Sequence, residues 1–215
     1  MKAFLSIIIL FTLNYSYIKA SDKYCLDYCK GVSAAGYHAC LIGCLSQGNC
    51  FSKETSISVR KNKSITETNI ANIKKGDIVL TIEKGKKIFT TVKNIYKEEG
   101  SFIFYYIQAK NEKGNIISLK VTENHGIIIS NDHKKTIIHA KNAKNGDLLL
   151  AEDGIYIIFN IGKEQLKEKY SLYTENGTIL ASKIFVSTVC EEDIENGVSF
   201  DEFIKKWRIA HNYNY

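Results

Sequence analysis

The chain has 215 residues, which is enough for one sizeable domain and a second small one. Its formal net charge is +6, but the Lys and Glu residues are dispersed along the sequence instead of forming blocks. No stretch combines basic and aromatic residues as a nucleic-acid-binding surface does, so the composition gives no indication of a nucleic-acid partner.

Residues 1–20 have the layout of a secretory signal peptide. Lys2 precedes an apolar run from Ala3 to Leu13, and small residues follow at Ala20 and Ser21. The run is short for a membrane span, which needs about 20 apolar residues, although a retained anchor is the alternative. The segment therefore predicts a secreted, extracellular protein whose cysteines enter an oxidising compartment.

Residues 21–49 are too few to enclose a core and carry four cysteines, Cys25, Cys29, Cys40 and Cys44. Each Cys-x3-Cys pair would place both thiols on one face of a helix, and Gly31 and Gly36 bracket a break between the two helices. This predicts a small α-hairpin stapled by disulfides Cys25–Cys44 and Cys29–Cys40, although four cysteines allow three connectivities. A zinc site would use the same residues, but secretion favours disulfides, and we predict no metal. We interpret the segment as a small secreted peptide whose target the sequence does not indicate.

The peptide bond between Asn49 and Cys50 separates this segment from the rest of the chain. A cysteine at such a boundary can attack the carbonyl carbon of the preceding residue and convert the amide into a thioester. Because a thiol with an ordinary pKa near ~8.5 is mostly protonated at neutral pH, the step needs assistance from neighbouring groups. The alternative is that Cys50 forms a disulfide with Cys190.

After Cys50 the pattern changes to short β-strands separated by Gly, Asn and Asp. The predicted strands are 56–59, 77–82, 87–96, 101–109, 116–121, 126–130, 135–139, 147–151, 155–161 and 179–189. Residues Glu98-Glu99-Gly100 are predicted to separate two of them. Residues 50–190 are thus expected to form one all-β domain.

Thr122 and His125 follow directly on one of these strands, where it ends in a turn. A histidine with a pKa near ~6.5 can give or take a proton at neutral pH, and a threonine hydroxyl can hold an amide by a hydrogen bond. With Cys50 they supply the groups that an amide-to-thioester shift requires. A structural histidine is the alternative, since a Thr-x-x-His pattern alone is common.

Residues 191–215 form a C-terminal tail with a short amphipathic helix. Phe200, Phe203, Ile204 and Trp207 recur at helical spacing, and Ser199 with Glu202 forms a capping box. Packing of this apolar face on the β domain is the expected role, and guidance of a lipid to the thioester is the alternative.

Several motifs occur in a characteristic order along the β region. They are Cys50-Phe51, Thr-Ser-Ile-Ser-Val at 55–59, Gly-Asp-Ile-Val-Leu at 76–80, the Thr122/His125 pair, Asn-Gly-Asp-Leu at 145–148, and the segments 170–174 and 177–180. Together they resemble the Hint family of autoprocessing domains, which comprises hedgehog C-terminal domains and inteins. The last two segments look like the hedgehog-type version.

The resemblance implies a flat, pseudo-twofold β fold with a cleavage site at its centre. It also implies that Cys50 attacks the Asn49 carbonyl while Thr122 and His125 activate the amide and protonate its leaving nitrogen. Inteins end the last strand with His-Asn and then a nucleophile, whereas this chain has Ser187-Thr188 there. Splicing is therefore expected to fail.

Hedgehog domains that transfer a sterol use an aspartate to activate the sterol hydroxyl, and this chain has Tyr96 near that position, followed by Glu98 and Glu99. These three residues are the candidates for activating an acceptor. We expect water or another small nucleophile to resolve the thioester without a cofactor, with hedgehog-like sterol transfer as an alternative. Further alternatives are a secreted binding protein that has lost processing and an intact intein.

Overall fold

The computed structural model describes residues 50–62, 64–131, 134–188 and 199–210, with side chains to residue 205 in the last of these ranges. The predicted signal peptide, the 21–49 peptide with its four cysteines, Asn49, Cys190 and the side chain of Trp207 all lie outside these residues. No helix within the described ranges has the length and hydropathy needed to cross a membrane.

The described residues form twelve strands, two 3₁₀ turns and one helix. The strands are β1 (Cys50–Phe51), β2 (Ser56–Lys61), β3 (Ser64–Asn69), β4 (Ile78–Glu83), β5 (Lys86–Lys110), β6 (Ile116–Thr122), β7 (Gly126–Asn131), β8 (Lys134–His139), β9 (Leu148–Ala151), β10 (Gly154–Thr174), β11 (Thr178–Ala181) and β12 (Ile184–Ser187). The 3₁₀ turns are η1 (Ile70–Asn72) and η2 (Ala140–Asn142), and the helix is α1 (Phe200–Ala210). All twelve strands belong to one continuous antiparallel sheet, which confirms the all-β prediction, and α1 confirms the short helix near the C-terminus.

The prediction of a break at Glu98-Glu99-Gly100 was wrong. β5 is one strand of 25 residues and pairs with the 21-residue β10, which also extends well beyond the predicted end at residue 161; the register shifts between the pairs Phe102–Leu166 and Glu99–Glu168, so a β-bulge lies where the break was predicted. Backbone pairing with β10 keeps the acidic residues in the strand, and Glu98 and Glu99 also form ion pairs with Lys169 and Lys97 at 3.1 and 2.7 Å. Gly100 leaves room for an aromatic ring, since a Cβ there would lie 2.8 Å from the Phe102 side chain.

The predicted last strand, residues 179–189, is in fact a hairpin. Ser182 and Lys183 both have positive φ, 47° and 68°, which is the backbone of a two-residue turn that matches the twist of the flanking strands. β3, which had not been predicted, pairs along its whole length with β2.

The domain is built from two similar halves. In each half a β-hairpin leads into a 3₁₀ turn and then into a second hairpin: β2, β3, η1, β4 and β5 in the first, and β7, β8, η2, β9 and β10 in the second. Asp77 accepts a hydrogen bond from the backbone N–H of Lys74 at 2.8 Å, and Asp147 accepts one from Lys144 at the same distance. This repeated hydrogen bond supports the pseudo-twofold arrangement that the family resemblance implied.

The similarity of the two halves extends to the turn that carries Thr122 and His125, which matches the turn at residues 52–55. The N–H of Thr55 donates to the carbonyl of Ser52 at 3.1 Å, and the N–H of His125 donates to that of Thr122 at 3.1 Å. The carbonyl of Thr55 accepts a hydrogen bond from the N–H of Ile70, the first residue of η1. The carbonyl of His125 accepts one from the N–H of Ala140, the first residue of η2. Ser52 and Thr55 are thus the counterparts of Thr122 and His125 in the first half.

The sheet has hydrophobic clusters on two sides. The larger contains residues of both halves, including Phe51, Val121 and Leu172. The second contains Phe185 and the apolar face of α1, in which Phe200 and Phe203 are buried. The helix therefore packs on the β domain, as expected for its amphipathic pattern.

Candidate active site

β1 places Cys50 in the interior of the sheet. This two-residue strand lies between β10 and β6, with Cys50 opposite Ser171 and Phe51 opposite both Tyr170 and Val121. Cys50 is fully buried and forms no disulfide with another described residue. A thiol that is not held in a disulfide can act as a nucleophile.

Thr122 contacts the amide nitrogen of Cys50. The N–H of Cys50 donates to Thr122 Oγ1 at 3.1 Å, across 72 residues of sequence. Thr122 is the last residue of β6, so the strand end fixes this hydroxyl relative to β1. The group that the sequence pointed to as an amide-holding hydroxyl is thus in direct contact with the amide of Cys50.

His125 is fully buried beside the same segment. Its ring lies edge-to-face against Phe51, with centroids 4.4 Å apart. Burial lowers the pKa of His125 to about 3, and the nearby backbone of Ser187 and Cys50 opposes that shift. Neither ring nitrogen meets hydrogen-bond geometry with a partner among the described residues. The imidazole is therefore neutral at physiological pH.

The turn that carries His125 is held by residues from the strand and 3₁₀ turn that follow. His139 Nδ1 lies 2.8 Å from the carbonyl oxygen of Asn124, which makes the ring nitrogen the donor. Lys141 Nζ donates to the side-chain oxygen of Asn124, and the N–H of Lys141 donates to the carbonyl of Glu123 at 2.8 Å. The sequence analysis had given His139 and Lys141 no role, and the available signal was their position at and just after the end of β8.

Ser171 contacts the thiol. Its Oγ lies 3.0 Å from Cys50 Sγ, and the two residues are directly opposite each other in the β1–β10 pair. Ser171 belongs to the 170–174 segment that carried the family resemblance, but no sequence pattern indicated this contact because the two residues are 121 positions apart.

The three predicted acceptor-activating residues occupy different surroundings. Tyr96 is opposite Ser171 in the β5–β10 pair, so Cys50, Ser171 and Tyr96 occupy one cross-strand row. Glu98 and Glu99 lie further along β5 in the ion pairs described above. The structure thus brings Tyr96, and not the two glutamates, into the row of the thiol.

The end of β12 borders the site on another side. Ser187 is fully buried, and its backbone lies near the His125 ring. Thr188 Oγ1 lies 3.0 Å from Thr174 Oγ1 and accepts from the N–H of Thr174 at 3.2 Å. Among the described residues, no His, Cys, Asp and Glu side chains form a group of three or more that could hold a metal ion.

A family model described as the Hint module matches residues 42–214. The chain belongs to the Hint family. Members of this family carry out autocatalytic protein splicing or cleavage, so membership implies a capacity for autoprocessing. No curated protein sequence matches the chain.

Solved intein structures share the fold of this Hint domain. An intein from a hyperthermophile has a TM-score of 0.58 at 15% identity, over 65% of this chain and 99% of that one. A DnaB intein from Synechocystis sp. PCC 6803 has a TM-score of 0.54 at 16% identity, over 66% and 99% of the two chains. A bacterial intein-like domain from Clostridium thermocellum has a TM-score of 0.53 at 19% identity, over 66% and 99%. These likenesses concern the fold, and a particular closeness to hedgehog domains stays a prediction.

Proposed function

We propose that this chain is a secreted precursor that cleaves itself between Asn49 and Cys50 and thereby releases the 21–49 peptide. The observation that carries the proposal is the contact of the Cys50 amide nitrogen with Thr122 Oγ1 at 3.1 Å, beside the buried His125. A hydrogen bond from a backbone N–H to a side-chain hydroxyl holds the amide plane fixed while its carbonyl is attacked.

In the first step the Cys50 sulfur attacks the carbonyl carbon of Asn49. A C–S bond forms, the C–N bond breaks, and the nitrogen becomes the free α-amino group of Cys50. The thiol proton passes to the ring nitrogen of His125 that carries the lone pair, and the resulting imidazolium gives a proton to the leaving nitrogen, so the protons balance and His125 ends neutral. Its product is a thioester between Asn49 and the side chain of Cys50.

His125 is suited to deliver the proton to the leaving nitrogen. A neutral imidazole carries one N–H and one lone pair, and the His125 ring lies beside the backbone of Cys50. The amide nitrogen becomes basic only as the C–N bond breaks, so a weak acid can protonate it at that point. General acid catalysis of this kind contributes about 10²- to 10⁴-fold to a rate.

The thioester is then resolved without splicing. The last strand ends at Ser187 and is followed by Thr188, so the chain lacks an asparagine there that could cyclise and release the downstream segment. The hydroxyl of Thr188 is hydrogen-bonded to the hydroxyl of Thr174. We take water or another small nucleophile as the acceptor, with no cofactor.

Sterol transfer is the less favoured acceptor chemistry. The apolar face of α1 is occupied by packing: Phe200, Phe203 and Ile204 are 3, 3 and 9% exposed. Tyr96 has a phenol in place of the sterol-activating carboxylate, and Glu98 is paired with Lys169. These contacts leave the helix and the glutamates with structural roles, while Tyr96 remains a candidate for activating the acceptor.

The experiment is to express the full precursor and add dithiothreitol or hydroxylamine, both of which cleave thioesters. Cleavage after Asn49 is expected, and Cys50→Ala should abolish it. Thr55→Ala is the matched control for His125→Ala, because Thr55 occupies the equivalent, buried position in the other half. We expect the Thr55 variant to cleave normally and the His125 variant to slow by about 10²- to 10⁴-fold. Cleavage of the Cys50 variant would assign the reaction to another protease.

A further inference from the structure

The amide of Cys50 and its thiol are contacted by different residues. Thr122 and His125 lie at the backbone of Cys50, whereas Ser171 Oγ lies 3.0 Å from its sulfur. A serine hydroxyl is too weak a base to remove a thiol proton, but it can donate a hydrogen bond to a thiolate. The contact therefore bears on the nucleophile and not on the leaving group.

We propose that Ser171 is a positioning residue that donates a hydrogen bond to the Cys50 thiolate, which stabilises the nucleophile and orients it for attack on Asn49. This inference rests on the self-cleavage proposed above. Ser171 is directly opposite Cys50 in the sheet, and cross-strand pairing fixes their separation without any loop. The hydroxyl is consequently held in place before the reaction begins.

The environment makes such a donor useful. Cys50 is fully buried, and an ionised thiol loses most of its hydration when it is removed from water. A hydrogen bond to the charged form offsets part of that loss and favours the thiolate. As the sulfur bonds to the Asn49 carbonyl carbon it loses its charge, and Ser171 remains as a neutral hydroxyl that need not give up its proton.

Other titratable groups lie on the elements packed against β1. They are His125 after β6, Tyr96 on β5 in the same row, and Tyr170 on β10, whose pKa burial raises. Near Tyr170, Glu168 forms ion pairs with Lys53 and Lys97 at 3.0 and 2.9 Å. Ser171→Ala changes none of these groups, so a shift in the pH profile of that variant reports on the hydroxyl.

The test measures the rate of dithiothreitol-induced cleavage of the full precursor against pH for the native chain, Ser171→Ala and Ser171→Thr. From the usual strength of a hydrogen bond to a charged group, we expect Ser171→Ala to cleave roughly 10- to 100-fold more slowly at neutral pH. The pH at which its cleavage rate rises should be higher by roughly one to two units. Ser171→Thr keeps a hydroxyl and should recover most of the rate and the native pH profile.

A second measurement does not depend on cleavage. The background is a His125→Ala precursor, which cleaves slowly. The absorbance of the Cys50 thiolate, obtained by subtracting the spectrum of the same protein with Cys50→Ala, is followed against pH with and without Ser171→Ala. The Cys50 thiol is expected to ionise at a higher pH when the Ser171 hydroxyl is absent. Identical midpoints and identical pH–rate profiles would overturn the role of Ser171. The proposed function would survive that result, because it is contradicted by a native precursor that does not cleave after Asn49 or by cleavage of the Cys50→Ala precursor, and not by an unchanged pH profile.

Discussion

Replacing His125 by leucine should stop cleavage and at the same time stabilise the fold. The imidazole is fully buried, and neither ring nitrogen meets hydrogen-bond geometry with a partner among the described residues. Each unsatisfied buried polar group costs about 1–3 kcal/mol. Leucine removes both groups at a similar volume but loses the ring contact with Phe51, which is worth about 1 kcal/mol. The backbone of Ser187 and Cys50 lies close enough to the ring to offset part of that cost, so the net gain in the free energy of unfolding is expected to be at most about 2 kcal/mol near neutral pH.

The stability that His125→Leu gains over its parent should increase as the pH falls. The pKa of His125 is lowered to about 3 in the folded protein, from about 6.5 in an unfolded chain. The unfolded state therefore binds the proton first as pH falls below about 6.5, and the native protein loses stability from that pH downward. His125→Leu removes this loss, so its advantage should be about 2 kcal/mol larger at about pH 5 than at about pH 7.5.

The assay is urea unfolding at both pH values in a Cys50→Ala background, which prevents cleavage during the measurement. Thr55→Val is the matched control: it changes the equivalent buried position in the other half, where no titratable group is present. Its effect should not vary with pH. A His125→Leu protein that is less stable than its parent, or whose difference is the same at both pH values, would refute the account of this histidine.

Three further outcomes are expected. Thr122→Val should slow thiol-induced cleavage by about 10- to 100-fold, less than His125→Ala, because one hydrogen bond to the amide is lost; equal losses in a kinetic assay would contradict the separate roles. Tyr96→Phe should leave thiol-induced cleavage unchanged and slow release without added thiol, and equal slowing in both reactions would exclude acceptor activation by the phenol. Phe203→Ala should lower the free energy of unfolding by about 3–5 kcal/mol, because this side chain packs in the second hydrophobic cluster. The mass of the released peptide should stay the same, and a changed mass would implicate the helix in acceptor binding.

Much of the fold could be predicted because its signals are local. Alternating apolar residues gave most strands, and helical spacing at Phe200, Phe203 and Ile204 gave the terminal helix. The candidate site was predicted from Cys50, Thr122 and His125 because family motifs place those residue types together. The structure brings Thr122 and His125 to the backbone of Cys50.

The remaining features depend on contacts between distant segments. The strand continues through Glu98-Glu99-Gly100, with a β-bulge instead of a break, because the backbone of β5 pairs there with the distant strand β10. Ser171 reaches the thiol only through the pairing of β1 with β10. Neither contact has a periodic or spacing signal in the sequence, so single-sequence reasoning could not reveal them.

The central claim is that Cys50 forms a thioester with Asn49, and mass spectrometry of the hydroxylamine-treated full-length precursor tests it most directly. The account predicts two products: a C-terminal fragment that begins at Cys50, and an N-terminal fragment whose Asn49 carries a hydroxamate. The hydroxamate forms only if an activated acyl group was intercepted. Fragments with other ends, or the same fragments from the Cys50→Ala precursor, would contradict the claim.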